Sequence, residues 1–548
     1  MSLKPRPFGG VPEMTAQVAR ASFRKGTLCL RIRDELGPVF TDEQFAGLFG
    51  DRGRPGWSPA RLVWVSVLQF VEGLTDRQAA EAVRSRIDWK YLLGLVLDDP
   101  GFDHTVLTEF RDRLIAAEEH RLLLDTLLTR LVEAGLLKGG GRARTDSTHV
   151  LAAVRVLNRV ENVFTTLQTA LEQLAEAAPD WLGSWLPPAW QALYGKPLKI
   201  PKTDTGRADL GARVGVDGHR LWAAITSPDA PSGLVELPAV QVLRQVWVQQ
   251  YWVDGQGRVR WRSKDDGQPP ASIRIDTPFD LDARRGVKRG MGWTGYKDHY
   301  TETCGDPDSP NVIIDAETTL GPVHDSVVLP GIHDRLATRD LTPGEHLVDS
   351  AYADPEAIHT ARQQHGITLV TPLQADSSWQ AAAGNGFDQT GFTIDWDHQQ
   401  VTCPNGATSQ RWQQRQDTVG PRIHVAFSNR DCRPCPSRHL CVSGPRPRQL
   451  TLHIQAEHDI LHANRRDQTT QDWKTRYATR AGVEGTMSQA VAHGARHARY
   501  TGLAKQHLQT ILTALGLNLL RINAWLTNTP HATTRTPRIA RLPLATAA

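Results

Sequence analysis

Cysteine is scarce, with six in 548 residues. That is too few for a disulfide scaffold. Four fall between Cys403 and Cys441, while Cys29 and Cys304 stand alone. The clustering fits a reducing compartment and a local metal site, and no thioredoxin-like context points to a redox couple. No run of eighteen apolar residues without charge occurs, so no membrane span is expected. The opening MSLKPRPFGGVPEM lacks an apolar signal core, which makes the cytoplasm the expected location. Net charge is small, +4, so the whole-chain balance names no partner. No internal repeat appears.

What is present is length for two to four domains and an ordinary globular balance of 40% hydrophobic and 22% charged residues. Charge is uneven. From Arg446 to Arg541 there are fourteen Lys or Arg against five Asp or Glu, an excess of nine in a chain whose total is +4. The C-terminal fifth is therefore a candidate polyanion-facing region, or else a solvated helical face.

Residues 22–137 carry helical periodicity. SPARLVWVSVLQFVEGL (58–74) opens on a Ser-Pro cap, and Thr75 with Gln78 forms a capping box for the helix after Gly73. The pair reads as a helix-turn-helix or as plain helical packing. Further helices are expected at 86–97 and 105–136. Lys138-Gly-Gly-Gly141 marks the first domain boundary, and RARTDSTHVL (142–151) reads as a strand carrying Asp146. Residues 155–270 form an excursion, helical at 155–178, irregular from Trp181 to Pro201 and helical again at 235–254. Strands are expected at 294–303, 310–319, 345–352 and 367–373, with a helix at 324–339. Residues 376–449 form a polar, Cys-containing insert without clear helices. Residues 450–526 form the last compact stretch, helical from about 456, and 527–548 form a loose tail.

Asp146 and Asp349 share one local setting, a strand followed by Asp-Ser and a turn. Side by side in one sheet, such strands bring their carboxylates to one edge. Glu484, at a helix start, supplies a third acid. Three carboxylates make an all-oxygen site of the kind magnesium prefers, and two such ions clamp the oxygens of a phosphodiester displacement. Arg480, one helical turn before Glu484, faces the same side. It is either a phosphate clamp or an ion-pair partner of Glu484. His299 and His324 lie near the second aspartate as supports or as satisfied core groups. Asp325 reads as a helix cap, and Asp298 and Asp354 as structural. The tryptophans read mainly as core, with Trp293 and Trp473 close to site motifs.

The run GRPGWSPARLVWVSVLQFVEGLTDRQAAEAV, then FDHTVLTEFRDRL, TDSTHV, GYKDH, VHDSVVLP, HLVDSAYAD and Tyr477-x2-Arg480-x3-Glu484 occur in order over residues 20–526. In these motifs the chain resembles the DDE transposases of bacterial insertion sequences, in the group written in words as IS eleven-eighty-two. The resemblance implies an α/β, ribonuclease H-like mixed-sheet catalytic core over 139–375 and 450–526. An N-terminal all-helical domain over 1–138, for DNA binding or oligomerisation, would precede it. It implies Asp146, Asp349 and Glu484 as ligands of two magnesium or manganese ions. It further implies cutting at terminal inverted repeats and transfer of 3′-hydroxyl ends to target DNA. Tyr477 and Arg480 would contact the DNA end, with Arg496, Arg499 and Lys505 as further nucleic-acid contacts. Double-stranded DNA is the implied partner, a dimer or higher assembly the implied state, and the nucleoid the implied place. One departure stands out. Related families often carry Lys seven residues after the Glu, and here that residue is Val491; His493, Arg496 or Arg499 could replace the charge. A nuclease that cuts without joining, and a silent transposon-derived regulator, remain alternatives.

Cys403, Cys432, Cys435 and Cys441 are spaced C-x28-C-x2-C-x5-C, with Pro434 and Pro436 around the close pair. Four thiolates suit structural zinc, His439 could replace one, and a set of reduced packed cysteines is the alternative.

Overall fold

The computed structural model describes residues 2–530 except 6, 156, 264, 289, 418 and 419. The chain divides into two compact units. The first comprises Met1–Lys138, Asp306–Ile313 and the C-terminal stretch from Leu512. In it, Ser58 accepts from the Arg61 N–H with Pro59 in the first turn, and the helix Pro59–Glu72 ends at Gly73 with φ 69°. The Thr75–Gln78 capping box then starts the helix Asp76–Ser85. Asp76 joins these helices to a third, accepting from Gln69 at 2.7 Å and from both Arg111 Nη atoms. The helix expected over 105–136 is two, Thr105–Ala116 and Leu122–Glu133, broken where Glu118 takes φ 57°. Apolar periodicity continues through the break, which hid it from the sequence.

The second unit is built on a six-stranded sheet. Its strands are β1 (Arg142–Leu151), β2 (Arg284–Lys288), β3 (Met291–Cys304), β4 (Ile313–Leu320), β5 (Glu345–Leu347) and β6 (Thr368–Val370). The order is β2-β3-β1-β5-β6, and β4 also pairs with β3. β1 and β3 run antiparallel over their shared length, from Arg142 opposite Cys304 to Leu151 opposite Gly295. β5 runs parallel to β1 and to β6 for three residues each. Parallel neighbours need crossovers, and the helices Leu329–Thr338 and Pro355–His365 provide them. β3 is buried along most of its length despite a polar sequence, so each polar group inside needs a partner. Gly295 has φ 150°, and a Cβ there would lie 2.1 Å from the Val150 carbonyl oxygen. Only glycine lets the two strands meet at that point.

The excursion between β1 and β2 has its own core, including Val163, Phe164, Leu167, Val214, Leu221, Val246 and Trp247. Its longest helix, Asp204–Ile225, was not expected from the sequence. Glycine is a poor helix former, but here the rings of Trp261, Tyr251 and Trp247 occupy the space over Gly211, Gly215 and Gly218. Tertiary packing overrides propensity. The stretch expected to be irregular forms two short helices, Pro179–Trp185 and Pro188–Tyr194, whose Trp185, Trp190 and Tyr194 rings meet edge to face.

The Cys-containing stretch is a small β body. It holds a two-stranded sheet, Thr393–Asp395 with Gln400–Thr402, and a three-stranded sheet, Arg411–Asp417, Gly420–Ala426 and Gln449–Leu452. Phe392, Val401, Ile423, Val425, Phe427, Leu450 and Leu452 form its core. Short helices do occur, such as Trp379–Ala383, and the last strand crosses the expected boundary at 449/450. The expected tail lies, from residue 531 onward, outside the described residues.

Candidate active site

The parallel pairing of β1 with β5 stops at Arg144, and on the far side Leu151 is bridged by His497. Asp146 sits in the fork between them. Its Oδ1 accepts from the Ser147 N–H at 2.8 Å. Asp349 lies two residues beyond the end of β5. Its Oδ1 accepts from the Ala351 N–H at 2.9 Å, and its carbonyl accepts from the Thr371 hydroxyl at 3.1 Å. Those contacts fix both aspartates and leave one oxygen of each facing the fork. Both free oxygens meet Arg480 Nη2, at 3.0 Å from Asp146 and 3.6 Å from Asp349. Arg480 thus pairs with the two aspartates rather than with Glu484. Burial raises the pKa of Asp146, and the Arg480 charge opposes that shift while Asp349 adds to it.

Arg480 lies in the turn Thr479–Ala481, which leads into the helix Gly482–Ala492. Glu484 stands exposed in its first turn. A buried ion pair docks this helix on the sheet. Arg144, on the same face of β1 as Asp146, donates from Nε to Glu302 Oε1 at 2.6 Å and from Nη1 to the Thr479 carbonyl at 2.7 Å. The other Glu302 oxygen accepts from the Thr486 hydroxyl, two residues after Glu484. Glu302 sits directly opposite Arg144 in the ladder and is fully buried. A Cβ at position 482 would lie 2.0 Å from Arg144 Nη1, so Gly482 makes room for the guanidinium. Sequence reading missed Arg144, Glu302 and Thr486, because their relation exists only once β1 and β3 are in register.

Tyr477 stacks on Trp473, ring centroids 4.8 Å apart at 18°, and both pack against Cys304, Leu347 and Val370. Arg496 lies beside the end of β1, where its carbonyl accepts from the Leu151 N–H and its guanidinium reaches the Thr148 hydroxyl at 3.3 Å. The Arg499 N–H donates to Gln509, and Lys505 begins the long helix Leu503–Leu526.

His299 is a buried, satisfied core group, with Tyr352 at 2.7 Å and Thr319 at 3.2 Å, and burial lowers its pKa to about 4. Asp325 is not a helix cap. His324 holds that position, while Asp325 is buried and bonded to Lys297 and Ser147. Asp354 caps the helix Pro355–His365, and buried Asp298 accepts from Thr318 and Gln506.

The four clustered cysteines line one cavity of about 510 Å³ together with Phe387 and Phe427, and all are unbridged. Among the described residues no group of three or more His, Cys, Asp or Glu is arranged ready to hold a metal ion. The zinc expectation therefore gains no support. For the acids the reason is visible: a guanidinium occupies the space between two of them, and the third faces outward.

A family model described as a transposase DDE domain matches residues 402–523, and one described as a transposase domain (DUF772) matches residues 18–113. The first match contains Tyr477, Arg480 and Glu484 together with the four cysteines, and the second contains the capped helix pair. Together the two matches support a DDE transposase of an insertion sequence. The pairing of these two models is consistent with the insertion-sequence group named above. A comparison with curated proteins returned no match. The transposase has no helix, among the described residues, long and apolar enough to cross a membrane. Its family implies a DNA substrate and a nucleic-acid-cleaving activity. Asp146 and Asp349 lie outside both matched stretches, so the matches do not bear on them.

Proposed function

We propose that this transposase binds the terminal inverted repeats of its element, cuts the element ends and joins the freed 3′-hydroxyls to target DNA. Asp146, Asp349 and Glu484 are its acids. The observation that carries the reading is the convergence of Asp146 and Asp349 on one cationic group, next to the helix that bears Glu484. The strand arrangement supports a ribonuclease H-like core: on one side of β1 the antiparallel β3, itself paired with β2 and β4, and on the other the short parallel strands β5 and β6.

The donor set fits a hard divalent cation such as magnesium, because it offers carboxylate oxygens and already shares one positive charge. Bound there, such ions would supply charge stabilisation at the reacting phosphate. The chain's own groups do the rest. Arg480 holds the two carboxylates together and is the cation that an incoming ion would replace. Released from them, it is free to face a DNA phosphate one turn from Glu484. The Arg144–Glu302–Thr486 clamp keeps the Glu484 helix against β1. Arg496 and the basic C-terminal region face the backbone, so affinity should fall steeply with salt. The N-terminal helices serve DNA binding or oligomerisation, and synapsis of two ends calls for a dimer or higher assembly.

The test is cleavage of labelled DNA carrying the element's own ends, with magnesium or manganese, for wild type, Asp146→Ala and Asp349→Ala. Specific cleavage by wild type alone, with binding kept in the variants, is expected. Specific binding without cleavage by wild type would overturn the enzymatic reading, and cleavage without strand transfer on paired ends would reduce it to a nuclease.

A further inference from the structure

A chain of buried hydrogen bonds crosses the sheet on the face of β1 opposite Asp146. Thr301 of β3 and Thr145 of β1 are direct partners in the ladder, and their hydroxyl oxygens lie 2.6 Å apart. The Thr145 hydroxyl also lies 2.6 Å from His346 Nε2 on β5. His346 Nδ1 in turn lies 2.9 Å from Nε2 of His333, on the crossover helix Leu329–Thr338. All four residues are 2% exposed or less.

The place of this chain singles it out. The backbone pairing of β1 with β5 ends at Arg144 opposite Leu347, and Asp146 and Asp349 each lie two residues beyond that pair. His346 sits opposite Ala143, yet its ring reaches forward to Thr145, one residue past the last backbone pair. The side chain thus carries the link between the strands into the gap between the ladder and the acids. Thr145 directly precedes Asp146, so moving its hydroxyl moves that carboxylate.

The chemistry is that of a rigid spacer rather than a charge. A neutral imidazole donates from one nitrogen and accepts at the other, so His346 can satisfy Thr145 and His333 at once. Burial keeps both rings neutral: it holds the His346 pKa well below the usual imidazole range and lowers that of His333 to about 4. An apolar side chain would fill the same space but fix no distance.

We propose that His346 is a positioning residue of the acid centre: its bond to Thr145 fixes how far Asp146 stands from Asp349, and so sets the affinity for a divalent cation. The inference rests on the transposase reading, which supplies the cation.

The test titrates manganese into the full chain on end DNA, read by the electron paramagnetic signal of the free ion. His346→Asn places its amide where Nδ1 was, which keeps His333 in reach and abandons Thr145. His346→Gln places its amide where Nε2 was and does the reverse. His346→Asn should weaken manganese binding by roughly 10- to 100-fold, the usual cost of losing a group that orients a metal ligand. His346→Gln should recover most of that loss. Each variant gives up one buried bond, so a merely structural role predicts equal losses for the two. Thr145→Val keeps the volume on β1 and gives a second reading that does not depend on the histidines folding together. It should match His346→Asn. Equal losses for the two histidine variants, or wild-type manganese affinity in Thr145→Val, would overturn the inference. Asp349→Ala separates the two levels. If it binds manganese as wild type does, the acid-centre reading falls and the inference with it. If it loses the ion while His346→Asn and Thr145→Val keep it, only the inference falls.

Discussion

The acid centre and the cysteine body gather donor groups by different means. Asp146 and Asp349 come from distant parts of the chain, and meet because β1 and β5 pair for only three residues before the sheet forks. The cysteines come from one stretch, folded around its own β core. In the first region the donors share a cation, Arg480, and a buried ion pair holds the third acid's helix in place. In the second they are unbridged thiols around a cavity that Phe387 and Phe427 share with Asp431, Arg438 and Arg448. The cysteines also converge, since Cys403, Cys432 and Cys435 all act on the Cys441 thiol, but no cation is shared among them. Long-range strand pairing gathers the acids, and proximity in sequence gathers the cysteines.

The comparison breaks first at the acids. Asp349→Ala or Asp146→Ala should cut end cleavage on the order of 10³-fold or more, from the loss of several kcal/mol of transition-state stabilisation. Cleavage kinetics near wild type would remove these residues from the centre. Next is the clamp. Glu302→Ala leaves Arg144 buried without its partner, and should lower stability by about 3–5 kcal/mol in chemical denaturation. Glu302→Gln, which keeps an acceptor, should cost less; equal losses would mean that charge plays no part. Gly482→Ala sharpens the same point, because its Cβ must displace the Arg144 guanidinium. End cleavage should fall about 10- to 100-fold, as for groups that orient metal ligands, with the melting temperature changed far less. Unaltered cleavage would show that the helix tolerates the shift.

A smaller effect concerns buried Asp298, whose pKa burial pushes up to about 7 against hydrogen bonds from Thr510, Thr318 and Gln506. The unfolded chain loses this proton near pH 4, while the folded one keeps it to about 7. Stability should therefore fall as pH rises across that window and level off above it. Asp298→Asn should flatten the decline, and an unchanged profile would assign it to other groups. The smallest effect belongs to the cysteine body. Cys432→Ser should cost about 1 kcal/mol or less, typical of a partly exposed position, and leave end cleavage unchanged. A loss of many kcal/mol together with bound zinc in wild type would restore the metal reading and erase the contrast.

Much of the local structure was legible because its causes are local. Ser58, Pro59, Thr75 and Gln78 cap helices through contacts within one turn. The strand around Asp146 and the helix start at Glu484 follow from alternation and 3.6-residue periodicity. The order of the acid motifs singled out Asp146 and Asp349, and both meet Arg480. What stayed hidden depends on partners far along the chain. Asp204–Ile225 became a helix because aromatic rings fill the space over its glycines. Asp325 read as a cap because a capping residue and a buried ion-pair partner look alike in one dimension. The sequence by itself determined the helical start, the local settings of Asp146, Asp349 and Glu484, and the spacing of Arg480 from Glu484. Tertiary structure alone decided that Arg480 turns to the aspartates, that Arg144 and Glu302 hold the Glu484 helix, and that His346 reaches Thr145 beside the site. Charges and rings gain their partners only when strand register brings distant residues within hydrogen-bond reach.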